Sequence, residues 1–571
     1  MNYTRLSLLS VVLLSAFNAY AAPDAGELLR QQQDLDRLKN LPQAIPVPKK
    51  EEAVRKKAES SAKILVKSFR FEGNLGKFTS EQLANEVKEL VGQELTFDDI
   101  QLAADKVTAF YQEKGYFLAR AIIPKQEVKD GIVLIQVNEG KLDPKKPYEV
   151  KGQDLRIDPE RVKRYLDSAM DGSLYQPSLE RGLLNIADNP SLTATANIEP
   201  GEEVGTSRII VETIEGPRVD GSVTADTYGS RYTGQFRLTG NVNINNPSTY
   251  GDQFSATAIT APGNDFYLGQ LAYRAPIGTD GLRAGVSYTA LTFLLNDKLD
   301  TGSDSVKGQA NNWNFNLRYP LYRTAMRAAY IGATYDWKNS FNSSGTSVTS
   351  DKRTDLYGLN LTLENTDDWG GAGFSQLVAG VSTGKLDLSK VPNYDPAEDE
   401  AQTRGNFNKI NLQFLRIQRA SERISLQFLG SAQWANKNLD GSEKLSLGGP
   451  AGVRAYPVGE AIGDEGYKFS IDAKYVLATG TKVGDLIGSI FYDQGMIHQY
   501  KRPDLITDMS TPNAYSLSGW GLGIDAIAAG KFQVKLGWAK AIGTNPALSS
   551  GNNSDGKSNR SRYWLLGMVT F

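Results

Sequence analysis

At 571 residues the chain is long enough for several domains, and 63 Lys+Arg against 65 Asp+Glu leave no cationic excess of the kind that binds nucleic acid. The absence of cysteine excludes disulfides, thiolate metal sites and cysteine nucleophiles. His498 is the single histidine, so a histidine metal cluster is excluded and a Ser-His-Asp triad would have to use that one residue. No cofactor, metal or enzymatic activity is expected. The 55 glycines and 26 tyrosines beside 40% hydrophobic residues fit a β-rich protein with many turns.

The N-terminus reads as a secretory signal peptide, 1–21: Arg5, an apolar run from Leu6 to Phe17, and the small-x-small site Ala19-Tyr20-Ala21. No other run reaches about 18 apolar residues, so no transmembrane helix is expected. Residues 22–40 hold a predicted helix over 24–40, with Asp24 and Glu27 spaced as a capping box and Pro42 as the stop. Its Gln, Asp and Arg content suits either a polar cavity or a loosely attached arm. Residues 41–63, with prolines and a dense Lys/Glu run, read as a linker.

Two small α/β modules follow, at 64–142 and 143–217. In the first, a strand at Ile64–Phe71 precedes helices at Ser80–Val91 and Phe97–Lys114, with Gly115 placed to end the second helix, and then strands at Leu118–Ile123 and Gly131–Val137. The second repeats the order: Tyr148–Val150, a helix after Asp158, a helix at Pro177–Ala187, and strands at Leu192–Ile198 and Arg208–Thr213. With Phe69-Arg-Phe71-Glu-Gly73-Asn74 and Tyr111-x-x-x-Gly115-Tyr116, this β-α-α-β-β order resembles the POTRA domain.

From about Arg218 the period becomes two. Tyr232 to Ile244, Trp313 to Leu321, Ile424 to Trp434 and Tyr467 to Tyr475 each alternate apolar with polar residues. Long strands with one apolar and one charged face fit a membrane β-barrel around a wet lumen. Residues 218–571 hold roughly 16 antiparallel strands at about 20–24 residues per strand and loop. Tyr563, Leu565, Gly567, Val569 and Phe571 close the chain with an amphipathic strand and a terminal aromatic, which resembles an outer-membrane assembly signal.

Within this region Leu447-Gly-Gly-Pro-Ala-Gly-Val453-Arg454-Ala455-Tyr456-Pro457 puts a permanently charged guanidinium in a glycine-rich loop. The strand Phe491-Tyr-Asp493-Gln-Gly495 offers a partner: if Ile490 and Tyr492 face lipid, then Phe491, Asp493 and Gly495 face the lumen. On spacing alone, an Arg454–Asp493 pair and two separately solvated charges are both open readings.

The whole order of segments resembles the TpsB transporters of two-partner secretion, the haemolysin secretion/activation proteins. The marks are Val453-Arg454-Ala455-Tyr456, Phe491-x-Asp493-x-Gly495, Asp226-x-x-Gly229 with Thr233-Gly234, and Gly251-Asp252. The resemblance implies an outer-membrane protein with its POTRA domains in the periplasm and its N-terminal helix plugging the barrel. It also implies a sixth extracellular loop folded inward to latch Arg454 on Asp493. Ala455 stands where the family pattern has glycine, which predicts a different turn at the tip. The implied partners are a large, unfolded TpsA-type client, outer-membrane lipids and, during biogenesis, the barrel assembly machinery; a monomer is expected. The competing reading is an assembly factor that inserts other barrels, a class that usually carries more POTRA modules.

Overall fold

The computed structural model describes residues 24–39, 63–203, 205–295, 305–391, 399–507 and 509–571. The signal peptide and all of the linker except Lys63 lie outside the described residues. Helix α1 (Ala25–Lys39) starts at Asp24, whose Oδ1 accepts from the backbone N–H of Gly26 (2.8 Å) and Glu27 (3.2 Å). Glu27 does not complete a capping box; its carboxylate accepts from Gln31 Nε2 at 2.8 Å.

The first α/β unit packs α2 (Ser80–Glu86) and α3 (Phe97–Glu113) on a sheet ordered Ser68–Asn74, Ile132–Asn138, Arg120–Ile122. The single strand expected at Ile64–Phe71 is two, Lys63–Val66 and Ser68–Asn74, and the first pairs with Gln93–Thr96. α3 carries a reciprocal capping box between Thr96 and Asp99 and ends at Gly115, whose φ of +93° is the left-handed cap. Tyr111 and Tyr116 meet edge-on in the unit's core with Phe78.

The second unit sets α4 (Pro159–Ala169) and α5 (Gln176–Ala187) against Thr206–Glu215, which pairs with Leu192–Pro200 and, in parallel, with Tyr148–Lys151 and Lys141–Leu142. Asp143 anchors this unit: its carboxylate accepts from the N–H groups of Lys145, Lys146, Glu202 and Glu203. Those bonds, led by that of Lys146, hold it well below the usual carboxylate range.

Among the described residues, sixteen antiparallel strands close into a barrel, from Val219–Asp226 to Ser561–Thr570. The period-two pattern gives the wall its two faces: Tyr563, Leu565 and Val569 are exposed outward, while Trp564 and Leu566 are buried within. The seam between first and last strands holds five register pairs, Ser222–Thr570 to Asp226–Leu566, against eighteen between the seventh and eighth. The second strand is shorter than its alternation implies: it starts at Arg237, and Tyr232–Phe236 belong to the first loop. There Gly234, at φ +109°, turns the chain.

The second unit docks on the turns at its end of the barrel. Asp188 forms a bidentate pair with Arg323 at the end of the sixth strand, and Arg161 Nη2 donates to Gly278 O at 2.9 Å. Gly251, at φ +82°, lies where a Cβ would come within 2.1 Å of Asn189 Oδ1, so the Gly251-Asp252 mark is part of this joint.

Candidate functional site: an inward loop and a helix in the lumen

The loop between the eleventh strand (Ile424–Ala435) and the twelfth (Glu465–Thr481) folds into the barrel. Its tip is a tight turn in which Val453 N donates to Leu447 O (2.7 Å) and Tyr456 N to Val453 O (3.1 Å). Leu445, Leu447, Val453, Ala455 and Tyr456 form a buried cluster with Phe491, Ile497, Tyr515, Leu517, Ala539 and Ala541 of the thirteenth to fifteenth strands. Each large side chain so buried contributes about 1.5–3 kcal/mol.

That cluster delivers Arg454 to Asp493. Arg454 Nη2 lies 2.6 Å from Asp493 Oδ1, Nε 2.9 Å from Oδ2, and the Arg454 backbone N–H donates to the same Oδ2 at 2.9 Å. Asp493 is fully buried, and the guanidinium stacks 3.4 Å from the centroid of the Phe491 ring. The arginine also forks onto Asp472, through Nη2 (2.6 Å) and Nη1 (3.1 Å). Ser470 Oγ accepts from Nη2 at 2.6 Å and lies 2.8 and 2.9 Å from the two carboxylates. One cation thus satisfies two carboxylates, with enough hydrogen bonds to offset desolvation.

Asp472 and Ser470 are the partners that spacing did not single out, although both stand on the polar face of an alternating strand. The signal is positional: Ser470 pairs in register with Asp493, and Asp472 with Phe491. Gly495 leaves room for Leu447, whose Cδ2 would lie 2.6 Å from an added Cβ. Ala455 needs no left-handed backbone, and its methyl occupies the space above Gly519, 2.6 Å from where a Cβ there would stand.

The base of the loop has its own ion pairs. Glu443 is buried between Lys338 (2.7 Å) and Lys409, and Lys444 pairs with Asp464 at 3.1 Å. Lys352 joins the loop to α1, reaching Asp440 at 2.7 Å and Asp24 at 3.0 Å. α1 lies along the lumen wall, where Ala25, Leu28 and Leu29 pack on Ile259, Phe266, Leu268, Leu291, Phe293 and Ala310. Its Gln32 accepts from Arg237, which is held by Asp226 in a buried pair. The Asp226 of the Asp226-x-x-Gly229 mark therefore positions a contact to the helix.

A barrel with α/β units at one end and a charged loop and helix inside it has the architecture of an outer-membrane transporter. A model of the ShlB-type POTRA domain matches residues 64–140, and the model of the haemolysin secretion/activation protein ShlB/FhaC/HecB matches 205–526, more than half the chain. The chain belongs to this family, the TpsB transporters of two-partner secretion, which export partner proteins across the outer membrane. It is 24% identical over 495 residues to the heme/hemopexin transporter protein HuxB of Haemophilus influenzae (strain 86-028NP), covering 86% of this chain and 84% of that one. It is also 24% identical to the outer membrane transporter CdiB of Dickeya dadantii (strain 3937), over 76% of this chain and 75% of the relative. The solved structure of CdiB from Escherichia coli shares the fold with a TM-score of 0.76 at 19% identity, covering 96% of this chain and 99% of that one. The α/β units therefore lie in the periplasm, and the Arg454 loop is the sixth on the extracellular side.

Proposed function

We propose that this transporter takes a large, unfolded TpsA-type protein from the periplasm through its two α/β units and passes it through the lumen after α1 withdraws. Arg454 acts as the latch that holds the sixth loop against Asp493 and Asp472. The observation that carries this reading is one guanidinium serving two carboxylates inside the barrel. The sheet edges of the periplasmic units offer free N–H and C=O groups to an extended client, a mode that tolerates varied client sequences. Transport needs one copy of the chain; outer-membrane lipids surround the apolar outer face of the barrel, and the barrel assembly machinery acts during its biogenesis. The test is Arg454→Ala: surface delivery of the client falls to background while the barrel stays inserted. Normal delivery by that variant would refute the latch.

A further inference from the structure

Three arginines on adjacent strands line the periplasmic end of the lumen beside the docked second unit. Arg274, on the fourth strand (Asp265–Pro276), shares the inward phase of Phe266 and Leu268. Arg283, on the fifth (Arg283–Leu294), is in phase with Leu291 and Phe293, and Arg318, on the sixth (Val306–Arg323), with Ala310. Arg274 and Arg318 are exposed into this space, and Arg283 is half-buried.

Their direct partners are neutral. Arg274 donates to Gln253, and Arg283 reaches Asn189 Oδ1 (3.4 Å) and Gly251 O (3.3 Å). Arg318 lies 3.6 Å above the centroid of the buried Tyr330 ring. Among the described residues none of the three forms an ion pair. Asp188, at the same joint, is taken by both nitrogens of Arg323, Asp252 by Ser248 and Tyr273, Asp220 by Asn243 and Asn245, and Glu364 by Gln376. Arg283 and Arg318 nevertheless stand directly opposite each other in register, an arrangement that costs stability between like charges. Two of the three face glycine on a neighbouring strand, Arg274 opposite Gly285 and Arg318 opposite Gly332, which leaves the wall low around them.

We propose that Arg274, Arg283 and Arg318 form an anion-binding wall that takes the carboxylate side chains of the polypeptide in transit. This rests on the lumen being the path of that polypeptide. The spacing favours a chain over a small anion. Opposed and diagonal neighbours in a sheet stand about 5 and 7–8 Å apart, close to the roughly 7 Å between alternate residues of an extended chain. A single phosphate needs donors that converge on one point, and these do not.

The test uses the full chain in detergent micelles and fluorescence anisotropy of labelled deca-glutamate and deca-glutamine peptides. At low salt the glutamate peptide binds at least tenfold more tightly, and added salt removes the difference. Arg283→Gln with Arg318→Gln abolishes that preference, the two Arg→Lys changes keep most of it, and Arg423→Gln, on the periplasmic turn between the tenth and eleventh strands, leaves it intact. If the paired variant does not fold, Arg318→Gln alone carries the test, because its side chain is exposed. Equal binding of both peptides, or an unchanged preference in the glutamine variant, overturns the proposal. Displacement of the peptide by micromolar inorganic phosphate would assign the wall to a free anion and overturn it as well. Because the readout is binding, failure here leaves the transport reading to be judged by the Arg454→Ala experiment.

Discussion

Asp493 and Asp472 share Arg454 but not its burial. The side chain of Asp493 is 0% exposed and that of Asp472 16%, so losing the first leaves a buried cation with much less compensation. Asp493→Asn is expected to weaken loop docking by about 3–5 kcal/mol and Asp472→Asn by about 1–3 kcal/mol. Hydrogen exchange of the amides from 447 to 458 reads both, and equal protection in the two variants would contradict the ranking. Gly519→Val should eject the tip through its clash with Ala455, whereas Ala455→Gly should be tolerated. Of this site, Arg454 and Asp493 were legible because a cation in a glycine-rich loop and a carboxylate in the inward phase each stand out in one dimension. Asp472 was not, since its significance comes only from the register that sets it opposite Phe491.

The elements divide in the same way. Strand phase, Asp158 before α4 and Gly115 after α3 are local signals, whereas the capping box expected from Asp24 and Glu27 does not form and that of Thr96 with Asp99, which does, was not singled out. The edge strand Gln93–Thr96 and the short Lys141–Leu142 carry no period of their own and exist because a neighbour supplies their hydrogen bonds. α1 is polar by composition, and only the surrounding wall shows which of its faces is apolar. Deleting 22–40 should raise conductance in planar bilayers, and an unchanged conductance would argue against a plug. Asp143 gives the second unit an acid sensitivity. Its carboxyl is held below its unfolded value of about 3.9, so the stabilisation is complete above that pH and is lost as pH falls through the depressed value. Hydrogen exchange around 141–146 and 200–206 should rise below about pH 4 in the native chain. It should already be raised at neutral pH in Asp143→Asn.

At the scale of the whole molecule, the joint between the second unit and the barrel fixes how that unit is held at the periplasmic mouth. It rests on the Asp188–Arg323 pair, the Arg161–Gly278 bond and the seat of Asn189 beside Gly251. Arg323→Ala should loosen the joint. Because the chain has no native cysteine, spin labels at introduced cysteines replacing Lys151 and Glu422 can report the distance directly. A broadened distribution is expected, and an unchanged one would mean that the remaining contacts suffice. No single-chain pattern foretells this joint, because its residues are scattered from Arg161 to Arg323.

The apolar cluster around Ala455 and Tyr456 makes the barrel mechanically lopsided. The thirteenth to fifteenth strands are propped from inside by a loop with a core of its own. The third to sixth are backed mainly by one helix, held by three small or aliphatic side chains and a few polar contacts. When that helix leaves, one flank keeps its brace and the other stands bare. The bore would therefore widen off-axis, toward the bare flank, and a passing chain would slide along a single wall.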